Sequence, residues 1–98
     1  MDKYLVIGNM KQSGKIHHAN AQVYILDPHD SGRSYVMLKT RSGRLVKTWQ
    51  PLKRITNLRI KAFSPDNPDH QWIEQEWWIY DNEAAQNKLD FARCWSGE

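Results

Sequence analysis

Residues 57–63, Asn-Leu-Arg-Ile-Lys-Ala-Phe, alternate with a period of two. Leu58, Ile60 and Ala62 fall on one side, and Arg59, Lys61 and Phe63 on the other. Successive side chains of an extended chain point to opposite faces, so this pattern predicts a strand with one apolar face. Four segments of similar length precede it, residues 3–9, 19–26, 34–40 and 44–49, each with β-branched and aromatic residues. Turn-forming clusters divide them. Asp27-Pro28-His29-Asp30-Ser31-Gly32 closes the second. Arg41-Ser42-Gly43 joins the third to the fourth as a hairpin, because Gly43 is free to take a positive φ. Residues 51–55 form a break of one 3₁₀-like turn before the last strand.

The expectation is therefore a mainly β chain with a C-terminal helix, an α+β fold. Five short strands, a tight turn and a 3₁₀ break before the last strand resemble the layout of small SH3-like barrels. That resemblance is one of architecture, and such barrels host many functions. At 98 residues the chain is expected to be one domain. Residues 1–63 would form the five-stranded SH3-like barrel, and residues 64–98 an acidic, Trp-rich extension packing on it.

The extension opens with Asn67-Pro68-Asp69, which reads as a helix cap, a proline at the first helical position and an acid at the favourable end of the dipole. Residues 71–80 suit a strand by composition and a helix by spacing. Ile73, Trp77, Tyr80, Ala84, Phe91 and Trp95 recur at intervals of three, four or seven, a helical stripe. One helix is expected over 82–95, with 71–80 open between the two conformations.

Charge is segregated along the chain. Residues 1–30 carry three basic and three acidic side chains. Residues 31–65 carry nine basic ones and no acid, and residues 66–98 carry eight acids against Lys88 and Arg93. Such a block needs an external anion or an internal acidic partner.

Catalytic motifs are weak. Residues 4–18, YLVIGNMKQSGKIHH, have the outline of a phosphate-binding loop. Yet Gly8 and Gly14 are one residue too far apart, and Ile16 stands where a hydroxyl would have to hold magnesium. The segment reads instead as a polar turn between strands. His17 and His18 are adjacent and cannot share one metal from a strand; with His29 and His70 they are expected to be solvent-exposed. Cys94 lies near a helix C-terminus, where the dipole does not favour a thiolate, and is expected to be buried or half-buried. No enzyme activity, metal or cofactor is expected. The short N-terminal apolar run is neither a signal peptide nor a membrane span, and one cysteine suits a reducing compartment, so a cytoplasmic location is expected.

Two functional expectations follow. The first is a non-catalytic module that holds a nucleic-acid backbone on a basic sheet face with little sequence specificity. Lys39, Arg41, Arg44, Lys47, Lys53, Arg54, Arg59 and Lys61 would neutralise phosphates, and Trp49 and Tyr35 would stack. The alternative is a protein-interaction module, an adaptor or an inhibitor of a larger enzyme, meeting a partner through Trp72, Trp77 and Trp78. An acidic protein could also meet the basic face. A homodimer fits either, since oppositely charged segments could pair between chains.

Overall fold

The computed structural model describes residues 2–97. The strands are β1 (Tyr4–Met10), β2 (Gln22–Pro28), β3 (Arg33–Lys39), β4 (Leu45–Pro51) and β5 (Ile55–Ala62). A 3₁₀ turn, Leu52–Arg54, separates β4 from β5. Two helices follow, α1 (Pro68–Glu76) and α2 (Asn82–Ser96). All neighbouring strands are antiparallel, in the order β4-β3-β2-β1-β5. β4 and β5 are the two edges, and the sheet is not closed into a barrel.

Both faces of the sheet are buried at its centre. On one face Val6, Val23, Ile25, Val36, Leu38 and Leu58 pack against Ala85, Leu89 and Ala92 of α2. On the other, Leu5, Ile7, Tyr24, Leu26 and Met37 pack against Ile73 of α1. The central strand β2 is accordingly apolar on both sides, with Val23, Tyr24, Ile25 and Leu26 all buried. This is why β2 lacks the alternation seen in β5.

Gly8 has a structural role within β1. The pairing of β1 with β5 shifts register between Ile7 and Asn9, a β-bulge. Asn57, in that part of β5, has φ 58°, a left-handed conformation that Asn tolerates better than most residues. A Cβ at Gly8 would lie 2.7 Å from Ile55 Cγ2 and 3.1 Å from the Thr56 carbonyl oxygen. The glycine of the apparent phosphate loop is thus a packing glycine of a bulged strand.

The C-terminal third departs from the expected single helix. Asn67 caps α1, its side chain accepting from the Asp69 amide, with Pro68 at the start of the helix. α1 ends at Glu76, and Trp77 is already extended. Tyr80 then pairs with Tyr4 at the start of β1, its amide and carbonyl exchanging hydrogen bonds of 3.1 and 2.7 Å. Residues 71–80 therefore hold both conformations in sequence: helix, then an extended segment. Asp81 caps α2 through the Ala84 amide, and Gly97 ends it at φ 84°.

The buried stripe of α2 is Ala85, Leu89, Ala92 and Ser96, one residue out of phase with the expected Ala84–Phe91–Trp95 stripe. Leu89 and its small neighbours on the stripe face the sheet, Trp95 packs partly buried against the same core, and Phe91 is left exposed. Cys94, expected to be at least half-buried, lies off this stripe and is exposed. The histidine expectation is also corrected: His17 and His70 are buried. No helix among the described residues is long and apolar enough to cross a membrane.

Candidate functional site

The register places the cations and aromatics of the expected face on one side of the sheet. Tyr35 opposes Trp49, Met37 opposes Lys47, and Lys39 opposes Leu45. Met37 opposes Tyr24, Tyr24 opposes Ile7, and Ile7 opposes Arg59. Lys61, opposite Leu5, continues that face along β5. The surface is nevertheless divided, because its middle is the apolar cluster covered by α1. The first turn of α1 bridges the two halves. Asp69 accepts from Lys39 Nζ at 3.2 Å, and His70 stacks on Phe63 at a ring separation of 5.8 Å.

On the β3–β4 side a contiguous aromatic platform is exposed. The Tyr35 and Trp49 rings are 4.6 Å apart, and Trp77, arriving from the end of α1, lies 6.2 Å from Tyr35. His29 flanks Trp49 at 5.9 Å. Two cations lie over these rings. Lys47 Nζ is 5.3 Å from the Tyr35 centroid and 5.1 Å from that of Trp77. The Arg33 guanidinium is 6.0 Å from Trp49, and its Nε is buried with no hydrogen-bond partner among the described residues. Tyr35 and Trp49 remain 39% and 37% exposed, so the ring array meets solvent. Cations held over aromatic faces in this way gain electrostatically without losing their charge.

The other expected site residues are spread around the sheet. Arg41 reaches back to the loop between β1 and β2, donating to the Gly14 carbonyl at 3.0 Å and meeting His18 Nδ1 at 3.1 Å. Arg44 is exposed beside it on the same hairpin. Lys53 and Arg54 lie in the 3₁₀ turn, away from the sheet face. Arg59 donates to Asn9 Oδ1 and to the Asn57 carbonyl, at 3.1 and 2.8 Å. Of the nine basic residues between 31 and 65, Lys39 is the one with a carboxylate partner among the described residues.

The tryptophans of the second expectation do not form one patch. Trp77 belongs to the platform. Trp78 is 83% exposed and, with Trp77, Leu26 and Ile79, borders a shallow groove. Trp72 faces outward from α1 and is not part of that groove.

Three titratable groups are shifted by burial. The His70 imidazole is held below its ordinary range, by burial first and then by Lys61, while Asp69 opposes the shift. Its Nδ1 accepts from the Ser64 amide at 2.9 Å. The Tyr24 and Tyr80 hydroxyls are each pushed up to about 12, mainly by burial, with Asp69 adding to the first and Asp27 to the second. None of these is an acid–base pair aimed into a cleft. No three His, Cys, Asp or Glu side chains among the described residues are grouped to hold a metal ion.

Sequence reasoning did not find Arg33, His29 or Trp77 as members of the platform. Arg33 and His29 flank a turn whose path the local sequence does not set. Trp77 joins only because α1 stops and the chain turns across the sheet. Comparison with protein-family models, curated proteins and solved structures found no match.

Proposed function

We propose that this chain is a non-catalytic binding module that holds a nucleic-acid strand against the β3–β4 face with low sequence specificity. The observation that carries this reading is the exposed Trp49–Tyr35 pair, continued by half-buried Trp77, with Lys47 and Arg33 over the rings. Every base has a π-face, so stacking on such rings tolerates any sequence, and cations beside them neutralise the strand's phosphates. Arg41 and Arg44 carry positive charge at the hairpin tip, and Lys39, paired with Asp69, lies between them and the platform. Arg59 and Lys61 would serve as outer contacts beyond α1. The SH3-like reading of the fold belongs to the same proposal. Its support is the strand order β4-β3-β2-β1-β5 with a 3₁₀ turn linking the two edge strands.

The test is fluorescence anisotropy with labelled single- and double-stranded DNA and RNA across a salt series. Binding should fall linearly in log–log form. Lys47→Ala should reduce the slope by about one. Trp49→Ala should weaken binding by about 1–3 kcal/mol without changing the slope. No binding at low salt, or binding indifferent to both substitutions, rejects the reading.

Trp78 favours a second reading, protein interaction. A tryptophan 83% exposed beside a groove of apolar residues edged by Asp27, Asp81 and Lys88 is a natural contact for a protein partner or a second copy of the chain. Sedimentation velocity over a concentration series tests the second copy. Self-association that disappears in Trp78→Ala supports it, and a monomer at every concentration removes it.

A further inference from the structure

We propose that the cleft between the β1–β2 loop and the 3₁₀ turn is a binding site for a phosphate group. The site uses other residues than the aromatic platform and stands or falls independently of strand binding there. The cleft measures ≈ 350 Å³, room for a phosphate with a small ester substituent. Lys11, Gln12, Ser13, His17, Lys53 and Arg54 are among its walls, and among the described residues no acidic side chain lines it.

The two halves are held in fixed relation. The Lys11 amide donates to the Arg54 carbonyl at 2.8 Å, tying the loop to the turn. Lys11 Nζ donates to the Ser96 carbonyl at 3.1 Å. The ammonium thereby offsets the negative end of α2, which would otherwise oppose an anion nearby, and keeps further protons to donate. Lys53 and Arg54 are exposed at the cleft, and their side chains make no hydrogen bond or ion pair among the described residues. Three like charges around one cleft repel one another, and a bound anion reverses that cost.

The loop adds backbone donors. Within the described residues, the amides of Gln12 and Ser13 have no intramolecular acceptor, unlike those of Lys11 and Gly14. Two consecutive amides without an acceptor, in a loop that walls the same cleft as Arg54, are donors of the kind a tetrahedral oxyanion needs. His17 also lines the cleft. It is 6% exposed, with Nδ1 3.1 Å from the His18 carbonyl oxygen. Gly14 allows that placement, since a Cβ there would sit 2.5 Å from His17 Nε2. The loop thus binds phosphate, on this proposal, without the helix or the magnesium-holding hydroxyl of a nucleotide-binding loop.

The test is an amide NMR titration of the full chain with inorganic phosphate, against sodium chloride at matched ionic strength. Saturable shifts at Gln12, Ser13 and Gly14, with a Kd on the order of 1 mM, are expected. Lys53→Ala/Arg54→Ala should weaken this by about tenfold or more while leaving strand-centre resonances in place. Gly14→Ala, which keeps every cation but displaces His17, should also weaken it. Shifts reproduced by chloride, or unchanged in the double variant, overturn the proposal. Repeating the titration with a nucleoside monophosphate, and with 5′-phosphorylated and 5′-hydroxyl oligonucleotides, separates two sources of the same group. A preference for the 5′-phosphorylated strand assigns a strand end, and equal shifts with the mononucleotide assign a small phosphoester.

Discussion

Gly8 and His70 are single residues on which the sheet and its cover depend. A methyl group at Gly8 would press on Ile55, Leu58 and the Thr56 backbone, and the backbone cannot yield as a side-chain tip can. Gly8→Ala should therefore cost about 1–3 kcal/mol through overpacking, read as a lower urea midpoint with an unchanged m-value. His70 acts through its protonation state. The buried ring accepts the Ser64 amide at Nδ1, sits edge-on to Tyr24 and stacks on Phe63, with Lys61 and Asp69 as the nearby charges. Its folded pKa lies below the unfolded value of about 6.5, so the unfolded chain takes up the proton first. The stabilisation is complete above that value and is lost as pH falls below it. Urea unfolding at pH 7.5 and pH 5 should show that loss. In His70→Phe the pH dependence should shrink even if the variant is less stable at both values; an undiminished dependence would assign it to other groups.

Among the elements, α2 shows most directly that burial rather than hydrophobicity sets a residue's contribution. Leu89 is buried against the sheet, whereas Phe91, the larger side chain, is 37% exposed. Leu89→Ala should cost about 2–5 kcal/mol, and Phe91→Ala no more than about 1 kcal/mol. Thermal melts of the two variants check this, and equal losses would place the helix in the other phase. The caps contribute separately. Asp81→Ala removes the acceptor for the Ala84 amide and should cost about 1 kcal/mol. α1 is held differently, through Ile73, the Lys39–Asp69 pair and the Tyr4–Tyr80 bridge that follows it. The bridge carries the chain from one face of the sheet toward the other, so α1 and α2 cover opposite faces and Trp77 comes to rest on Tyr35.

On the scale of the whole molecule, two tyrosines of low exposure connect the sheet with its covering layers. Tyr24 lies under α1, and Tyr80 donates to the Leu26 carbonyl. Both are raised to about 12 from 10.0 in the unfolded chain. The unfolded state therefore loses these protons first. The stability they confer is complete below pH 10 and declines as pH rises toward 12. In Tyr24→Phe and Tyr80→Phe the loss of stability between pH 10 and pH 12 should shrink, and an undiminished loss would contradict the burial. The strands, the hairpin at Gly43, the 3₁₀ turn and the Asn67 cap were legible in the sequence because each rests on local rules: alternation, turn chemistry and end-capping. The shared parity of Lys39, Lys47, Arg59 and Lys61 was legible for the same reason. Local rules do not specify which strands pair, how far the sheet closes, or which side of a helix meets it. Those depend on contacts between residues far apart in the chain. Hence the phase of α2, the burial of His17 and His70, the division of the basic face by α1 and the arrival of Trp77 beside Tyr35 were decided only by the tertiary structure.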